Sequence, residues 1–216
     1  MANPTPGSIK EDAVGQLNKQ LVQIVSTTIL FEEYNRARKR FRNEHDWSWA
    51  RKPTTLNFTA YGATGLFAAP LPADMHTKFD IAPFWTESSY PITWNKSSYR
   101  GLFTPGETTP RFYINHAEGK IISNCGVLTG VNADYPFAIP DLPLNTTQDT
   151  TAEAFPDGEP VTNLLIGYYW LATQRQMNKH DAFIEEYKEM RDELITRDMS
   201  NEPLEHSVEL TTSVTR

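Results

Sequence analysis

Apolar residues near the start of the chain recur every three or four positions, which is the spacing of an amphipathic helix. The pattern predicts one helix from about Glu11 and a second helix after residues 26–28, whose hydroxyl groups suit a helix cap. Pro53 is expected to end the second helix, because the residue before a proline avoids helical geometry. The apolar side of the second helix would consist of Ile29, Leu30, Tyr34, Ala37, Phe41 and Trp47.

The middle of the chain has a different period. Apolar and polar residues alternate over much of residues 54–128, which predicts β-strands. The stretch RFYINHAEGKIISN, residues 111–124, is typical of a hairpin with a glycine-containing turn. The proline-rich residues 132–160 predict a long ordered loop. Helical spacing returns over residues 161–198.

This order of elements predicts an α+β fold that is mainly α. The length favours a single domain over residues 1–216. The helices of residues 10–52 and 161–198 are expected to pack on each other as a helical bundle, with residues 54–128 as an inserted β-rich region. Residues 199–216 lack a helical period and predict an extended C-terminal tail.

Composition limits where the chain is expected to act. No apolar run approaches the length of a membrane span, and the start, MANPTPGSIKED, lacks the apolar core of a signal peptide. We therefore expect a protein that is made in a cytoplasm and has no membrane contact. Cys125 is the single cysteine, so an internal disulfide and a cysteine metal cluster are excluded.

Charge is divided unevenly along the chain. Residues 1–129 carry 14 Lys and Arg against 11 Asp and Glu, whereas residues 130–216 carry 6 against 16. An acidic protein with a mildly basic first part is a poor general nucleic-acid binder. Regions of opposite sign suit a molecule that docks against copies of itself or against other proteins.

The run RARKRFR is the strongest local charge signal. One interpretation is a surface that contacts an acidic protein partner, and another is direct contact with DNA phosphates. A third is a solvated helix face whose cations pair with Glu32 and Glu33. The residues of the predicted partner interface here are Arg36, Arg38, Lys39, Arg40 and Arg42.

The sequence carries little that indicates catalysis. The five histidines are scattered, and no phosphate-binding glycine loop, GxSxG or HExxH motif is present. Asp74 and His76 would face the same side of a strand and form a possible metal pair, although a turn aspartate beside a surface histidine is the simpler reading. Cys125 with His116 is the other catalytic alternative, against a buried cysteine. We predict no enzyme, no catalytic residue, no metal and no cofactor.

The β-rich region holds many of the aromatic residues. Trp85, Trp94 and Tyr99 are expected to form an interface or the core of this region, where tryptophan and tyrosine are enriched. The alternative is a stacking platform for sugars, which would make the chain a carbohydrate- or receptor-binding protein.

Four stretches in a fixed order carry a resemblance. They are WSWARKPTTLNF (47–58), LPADMHTKFDIA (71–82), the hairpin at 111–124, and LLIGYYWLATQRQMNKHDAFIEEYKEMRDEL (164–194). The chain resembles the head-to-tail adaptor proteins of tailed bacteriophages, the head-completion or tail tubular protein A-like connectors. In that family an amphipathic helix runs into a W-x-W or W-x-F element, then into a β-rich insertion, and a late helical region closes the domain. In extended geometry Trp47 and Trp49, two residues apart, would face the same side and pin the junction between helix and insertion.

The resemblance implies a structural role in the neck of a virion. It implies a homo-oligomeric ring of about twelve copies between the portal protein and the tail or nozzle proteins, around DNA that passes without sequence-specific binding. The C-terminal tail, including Glu209, Leu210 and Val214, would add a strand to the portal or to a neighbouring copy. Disorder of this tail is the alternative.

Overall fold

A computed structural model describes the chain at residues 3–19, 25–62, 65–81, 84–85, 91–92, 95–103, 111–124, 129–143 and 150–201. These residues form four helices and two small sheets that are antiparallel apart from one short strand pair. The predicted α+β class is therefore confirmed. None of the described helices combines the length and the apolarity needed to cross a bilayer.

The first two helices differ from the predicted ones at their ends. Helix α1 spans Pro6–Asn18, so the predicted start at Glu11 is wrong. Thr5 caps this helix, since its hydroxyl accepts from the Ser8 amide at 3.1 Å while the Ser8 hydroxyl accepts from the Thr5 amide. Helix α2 spans Thr27–Glu44 and ends well before Pro53, so the prediction that Pro53 ends this helix is wrong. Pro53 lies instead in a strand at the edge of a sheet, where a proline is tolerated.

The last two helices form a helical hairpin with a short turn between them. Helix α3 spans Glu159–Gln174 and helix α4 spans Met177–Asn201. Between them Arg175 adopts left-handed backbone geometry, with φ of 51°. Helix α4 therefore includes residues 199–201, which the sequence assigned to the tail, and the tail beyond residue 201 lies outside the described residues.

The helices share one apolar core. Residues 160–170 of α3 are all buried, so α3 is the central helix against which the other three pack. The predicted apolar side of α2 is buried at Tyr34, Ala37 and Phe41. Trp47 and Phe155 complete this core from outside the helices. We refer to residues 6–50 and 137–201 as the helical part.

The β part is residues 51–136, and its described residues form nine short strands. They are β1 (Arg51–Leu56), β2 (Thr59–Tyr61), β3 (Leu66–Pro70), β4 (Phe84–Trp85), β5 (Pro91–Ile92), β6 (Asn95–Lys96), β7 (Arg111–Asn115), β8 (Lys120–Ser123) and β9 (Val131–Pro136). One sheet has the order β1-β9-β4-β5, and the other has the order β2-β3-β8-β7-β6. The expected loop at 132–160 is wrong for its first residues, because β9 pairs along the whole of β1.

The β part has its own core, separate from the helical one. Phe58, Ile81 and Phe84 lie at its centre, and the hairpin β7–β8 contributes Phe112 and Ile121. Gly119 closes the hairpin turn with a φ of 62°, which a residue with a side chain rarely adopts. The molecule thus consists of two packed parts that are joined by two chain connections, one after α2 and one after β9.

Candidate interaction surfaces

The basic run on α2 divides into buried and exposed side chains. Arg38 is 5% exposed and Arg42 is 0% exposed. Both occupy the apolar side of α2, four positions after Tyr34 and eight positions after it. The structure therefore removes these two guanidinium groups from the surface at which the sequence predicted a partner.

Arg38 makes a buried ion pair with Glu153. Its Nη2 donates to Oε2 at 2.8 Å and its Nε lies 2.7 Å from Oε1. The Tyr34 hydroxyl donates to the same carboxylate at 2.5 Å, and Arg38 Nη1 donates to the Pro140 carbonyl at 3.1 Å. These bonds fasten the segment between β9 and α3 along α2.

Arg42 donates to three backbone carbonyls. Its Nε reaches Phe137 O at 3.0 Å, its Nη1 reaches His45 O at 3.3 Å, and its Nη2 reaches Ala50 O at 3.4 Å. The ring of Phe79 lies 5.1 Å from its guanidinium carbon. Burial lowers the pKa of Arg42 to about 10; the attraction of Asp46 opposes this shift, and the like charge of Arg51 adds to it.

Arg36 and Lys39 remain on the surface. Their side chains are 60% and 48% exposed, and they make exposed ion pairs with Glu33 at 3.4 Å and Asp141 at 2.8 Å. The guanidinium carbon of Arg36 also lies 4.3 Å from the centre of the Tyr168 ring. Arg36 and Lys39 border an open groove along α2 that is also lined by Thr28, Phe31, Glu32, Asn35 and Asp141. Of the five cations predicted to contact a partner, Arg36 and Lys39 are therefore the ones that are exposed beside this groove.

Arg40 belongs to a polar cluster that joins three helices. It donates to Glu44 at 2.8 Å and to the Tyr168 hydroxyl at 3.0 Å. Glu44 also accepts from Tyr187 at 2.5 Å and from Arg191 at 3.1 Å. Burial acts to raise the pKa of Glu44, but the hydrogen bonds from Arg40, Tyr187 and Arg191 outweigh it and hold that pKa below its usual value.

The two tryptophans that follow α2 lie where the chain leaves the helical part. Trp47 is buried, and its ring stacks on Trp49 with centroids 5.8 Å apart and planes 23° apart. Its indole nitrogen donates to the Phe41 carbonyl at 3.0 Å. Trp49 lies within a short 3-10 turn, Ser48–Ala50, that begins directly after Trp47, so the extended geometry predicted for this stretch is wrong.

The end of α4 is tied to this same turn. The Asp198 carboxylate accepts from the Ser48 amide at 3.0 Å and from the Ser48 hydroxyl at 2.5 Å. The His45 ring nitrogen Nε2 lies 3.2 Å from the same carboxylate. Asp198 thus caps the 3-10 turn from a helix that lies 150 positions further along the chain.

Helix α4 exposes an acidic stripe. Glu186, Glu189 and Glu193 follow one another at spacings of three and four residues, which places them on one side of the helix. All three are exposed, and within the described residues none of their carboxylates has a hydrogen-bond or ion-pair partner. Two further exposed carboxylates on α4 are paired, Glu185 with Lys188 and Asp192 with Arg191. Sequence reasoning found the acidity of this region but not the face that carries it.

The predicted aromatic surface of the β part is described only in part. Tyr99 is 37% exposed, and its ring meets Tyr113 at 64° with centroids 5.8 Å apart, so these two rings are not coplanar. Trp94 and the side chain of Trp85 lie outside the described residues. The tail residues Glu209, Leu210 and Val214 lie outside them as well.

The two catalytic alternatives were a metal pair of Asp74 with His76 and a nucleophile pair of Cys125 with His116. Asp74 binds Lys52 at 2.8 Å and accepts from Tyr135 at 2.8 Å, whereas His76 lies 2.6 Å from the Asn43 side chain, so each has partners of its own. In the part of the chain that the structure describes, no three His, Cys, Asp or Glu side chains are grouped as a metal ion would require. Cys125 lies outside the described residues.

Comparisons with known proteins add no relative to this picture. The sequence matches no protein-family profile. A search among curated proteins gives no match either.

Proposed function

We propose that this chain is a structural virion protein that forms a ring between the portal and the tail of a tailed bacteriophage. The observation that carries the proposal is the stripe of Glu186, Glu189 and Glu193 on a helix of 25 residues, three exposed carboxylates that have no cationic partner among the described residues. Such a helix is about 37 Å long at 1.5 Å per residue. The resemblance to head-to-tail adaptors supplies the biological setting.

The acidic stripe would face the channel of the ring. Duplex DNA carries about one negative charge per 1.7 Å of its axis, so a wall of carboxylates repels it. Repulsion prevents the DNA from adhering while it moves. At physiological salt the Debye length is about 8 Å, so the repulsion acts only when the helix lies close to the DNA. This role requires no reaction and no sequence-specific contact.

Ring formation requires contacts of another kind. A closed ring of more than two copies uses two different surfaces on each copy, since each subunit meets its neighbours head to tail. The proposed partner-facing surface is the groove of α2 with Arg36 and Lys39, which are exposed and only weakly paired. Each part has a packed core of its own, which gives the subunits of such a ring of about twelve copies a fixed internal structure. The portal, the tail proteins and the neighbouring copies are the proposed partners.

The stripe can be tested by reversing its charge in assembled particles. The triple variant Glu186→Lys, Glu189→Lys, Glu193→Lys should still assemble but release DNA more slowly, most clearly at low salt where screening is weak. A matched control makes the same three replacements at exposed acidic positions elsewhere, Glu11, Asp12 and Glu159. Equal release rates in both variants would contradict the proposed orientation of α4.

A further inference from the structure

The β part is joined to the helical part by two chain connections that lie side by side. The outgoing connection is residues 45–50, and the return connection begins at Phe137. The Phe137 amide donates to the Ala50 carbonyl at 3.0 Å, which links the two connections directly. We call these two connections together the neck of the subunit.

One guanidinium holds both connections of this neck. Arg42 extends from α2 and donates to His45 O and Ala50 O on the outgoing connection and to Phe137 O on the return connection. The side chain is fully buried, and within the described residues all three hydrogen bonds go to carbonyls rather than to a carboxylate. A buried cation with this arrangement cannot be explained as half of an ion pair.

Arginine is suited to this position by its shape. The guanidinium is planar and has five N–H donors in a fixed fork, so it can reach three acceptors in different directions at once. A lysine has a single ammonium group at the end of a flexible stem and reaches fewer of them. An apolar residue would remove the donor to the His45 and Phe137 carbonyls and leave the Ala50 carbonyl with the Phe137 amide alone.

We propose that Arg42 is a clamp that fixes the orientation of the β part on the helical part by holding both connections of the neck. A neighbouring contact supports the same orientation from one side. Asn43, the next residue on α2, contacts two residues of the β part. Its side chain lies 2.6 Å from the His76 ring, and its carbonyl accepts a hydrogen bond from Lys78. That contact reaches a single loop, whereas Arg42 holds the two connections through which every change of orientation must pass.

The clamp does not depend on the proposed function, although a ring of identical copies would benefit from it. Each copy in a ring must offer the same pair of surfaces at the same angle if the ring is to close. A neck that allowed several angles would produce several incompatible subunits.

The test measures one distance between the two parts. Spin labels are attached at Ala60→Cys in β2 and Glu186→Cys in α4, both exposed positions, in a chain whose single natural cysteine carries Cys125→Ser. Electron–electron resonance then gives the distribution of the distance. Arg42→Lys and Arg42→Met should broaden this distribution at least twofold, whereas the exposed control Arg36→Met should leave it unchanged. An unchanged distribution in folded Arg42→Lys would overturn the proposal.

A second measurement covers the case in which the variants do not fold. Native-state hydrogen exchange of the unaltered chain reports the opening of two amides. The Phe137 amide donates to Ala50 O at 3.0 Å, and the Ala50 amide donates to Trp47 O at 3.0 Å. If one clamp holds both connections, the two amides open in one step, with the same dependence on denaturant. Independent opening of the two amides would overturn the clamp.

Discussion

Arg38 and Glu153 lie 115 positions apart in the chain and form a buried ion pair, with 2.8 Å between Nη2 and Oε2. Their side chains are 6% and 4% exposed. The pair joins the middle of α2 to the segment that leads into α3, and the hydroxyl of Tyr34 donates to the same carboxylate. A residue that the sequence placed in an external contact is therefore internal.

Removal of one partner of this pair should destabilise the fold strongly. Arg38→Met leaves the Glu153 carboxylate buried without its cation, and such losses cost about 3–5 kcal/mol. Addition of Glu153→Gln, which keeps an acceptor for Tyr34, should recover part of that loss. Urea unfolding of the two single variants and the double variant measures the effect. Lys39→Met, at a half-exposed pair, is the control and should change the unfolding free energy by less than about 1 kcal/mol.

Acid should weaken the joint between α2 and α4 through Glu44. Hydrogen bonds hold the folded-state pKa of Glu44 below its usual value of 4.5 despite burial, which acts to raise it. The stabilisation is therefore complete above pH 4.5 and is lost as the pH falls through the folded-state pKa. Glu44→Gln should lower the free energy of unfolding at neutral pH. It should also reduce the fall of that free energy below pH 4.5, as unfolding curves measured across pH would show. Glu185→Gln, at an exposed carboxylate, should leave the profile as it is; an unaltered profile in Glu44→Gln would contradict this account.

Trp47 should matter for its ring more than for its hydrogen bond. Trp47→Ala empties a large part of the helical core next to Phe41, and such truncations cost about 3–5 kcal/mol. Trp47→Phe keeps most of the packing but leaves the Phe41 carbonyl without its donor, which costs about 1–3 kcal/mol. Chemical denaturation of both variants ranks them. Equal losses would show that the hydrogen bond dominates.

Loss of Asp198 should free the end of α4 and little else. Asp198→Ala removes the acceptor for the Ser48 amide and hydroxyl, so hydrogen exchange should accelerate over residues 194–201 and at Ser48. The matched control is Asp192→Ala on the same helix, whose side chain is 65% exposed and pairs with the neighbouring Arg191. Exchange that accelerates equally in both variants would show that Asp198 does not hold the helix end.

Local patterns predicted the helices better than their ends. The apolar positions Tyr34, Ala37 and Phe41 of α2 follow directly from helical spacing. The start of α1 at Pro6 depends on a reciprocal cap between Thr5 and Ser8, for which the usual glutamate signal is missing. The prolines and polar residues in and after strand β9 predict a loop, whereas the pairing of β9 with β1, about eighty residues earlier, decides its structure.

The burial of Arg38 and Arg42 could not be predicted from the sequence for a related reason. Arg38 and Arg42 occupy positions that continue the apolar side of α2, and this placement is the signal that could have separated them from Arg36 and Lys39. Their partners, Glu153 for Arg38 and Phe137 for Arg42, lie about a hundred residues away. A run of charge in the sequence does not show which cations find acceptors inside the fold.

The central claim is a ring of identical subunits in the neck of a virion, and a count of copies tests it most directly. Quantitative mass spectrometry of purified particles compares the amount of this chain with the amount of portal protein. We predict about one copy for each portal subunit. A very different ratio would contradict the ring, and absence of the chain from the particles would contradict a virion role altogether.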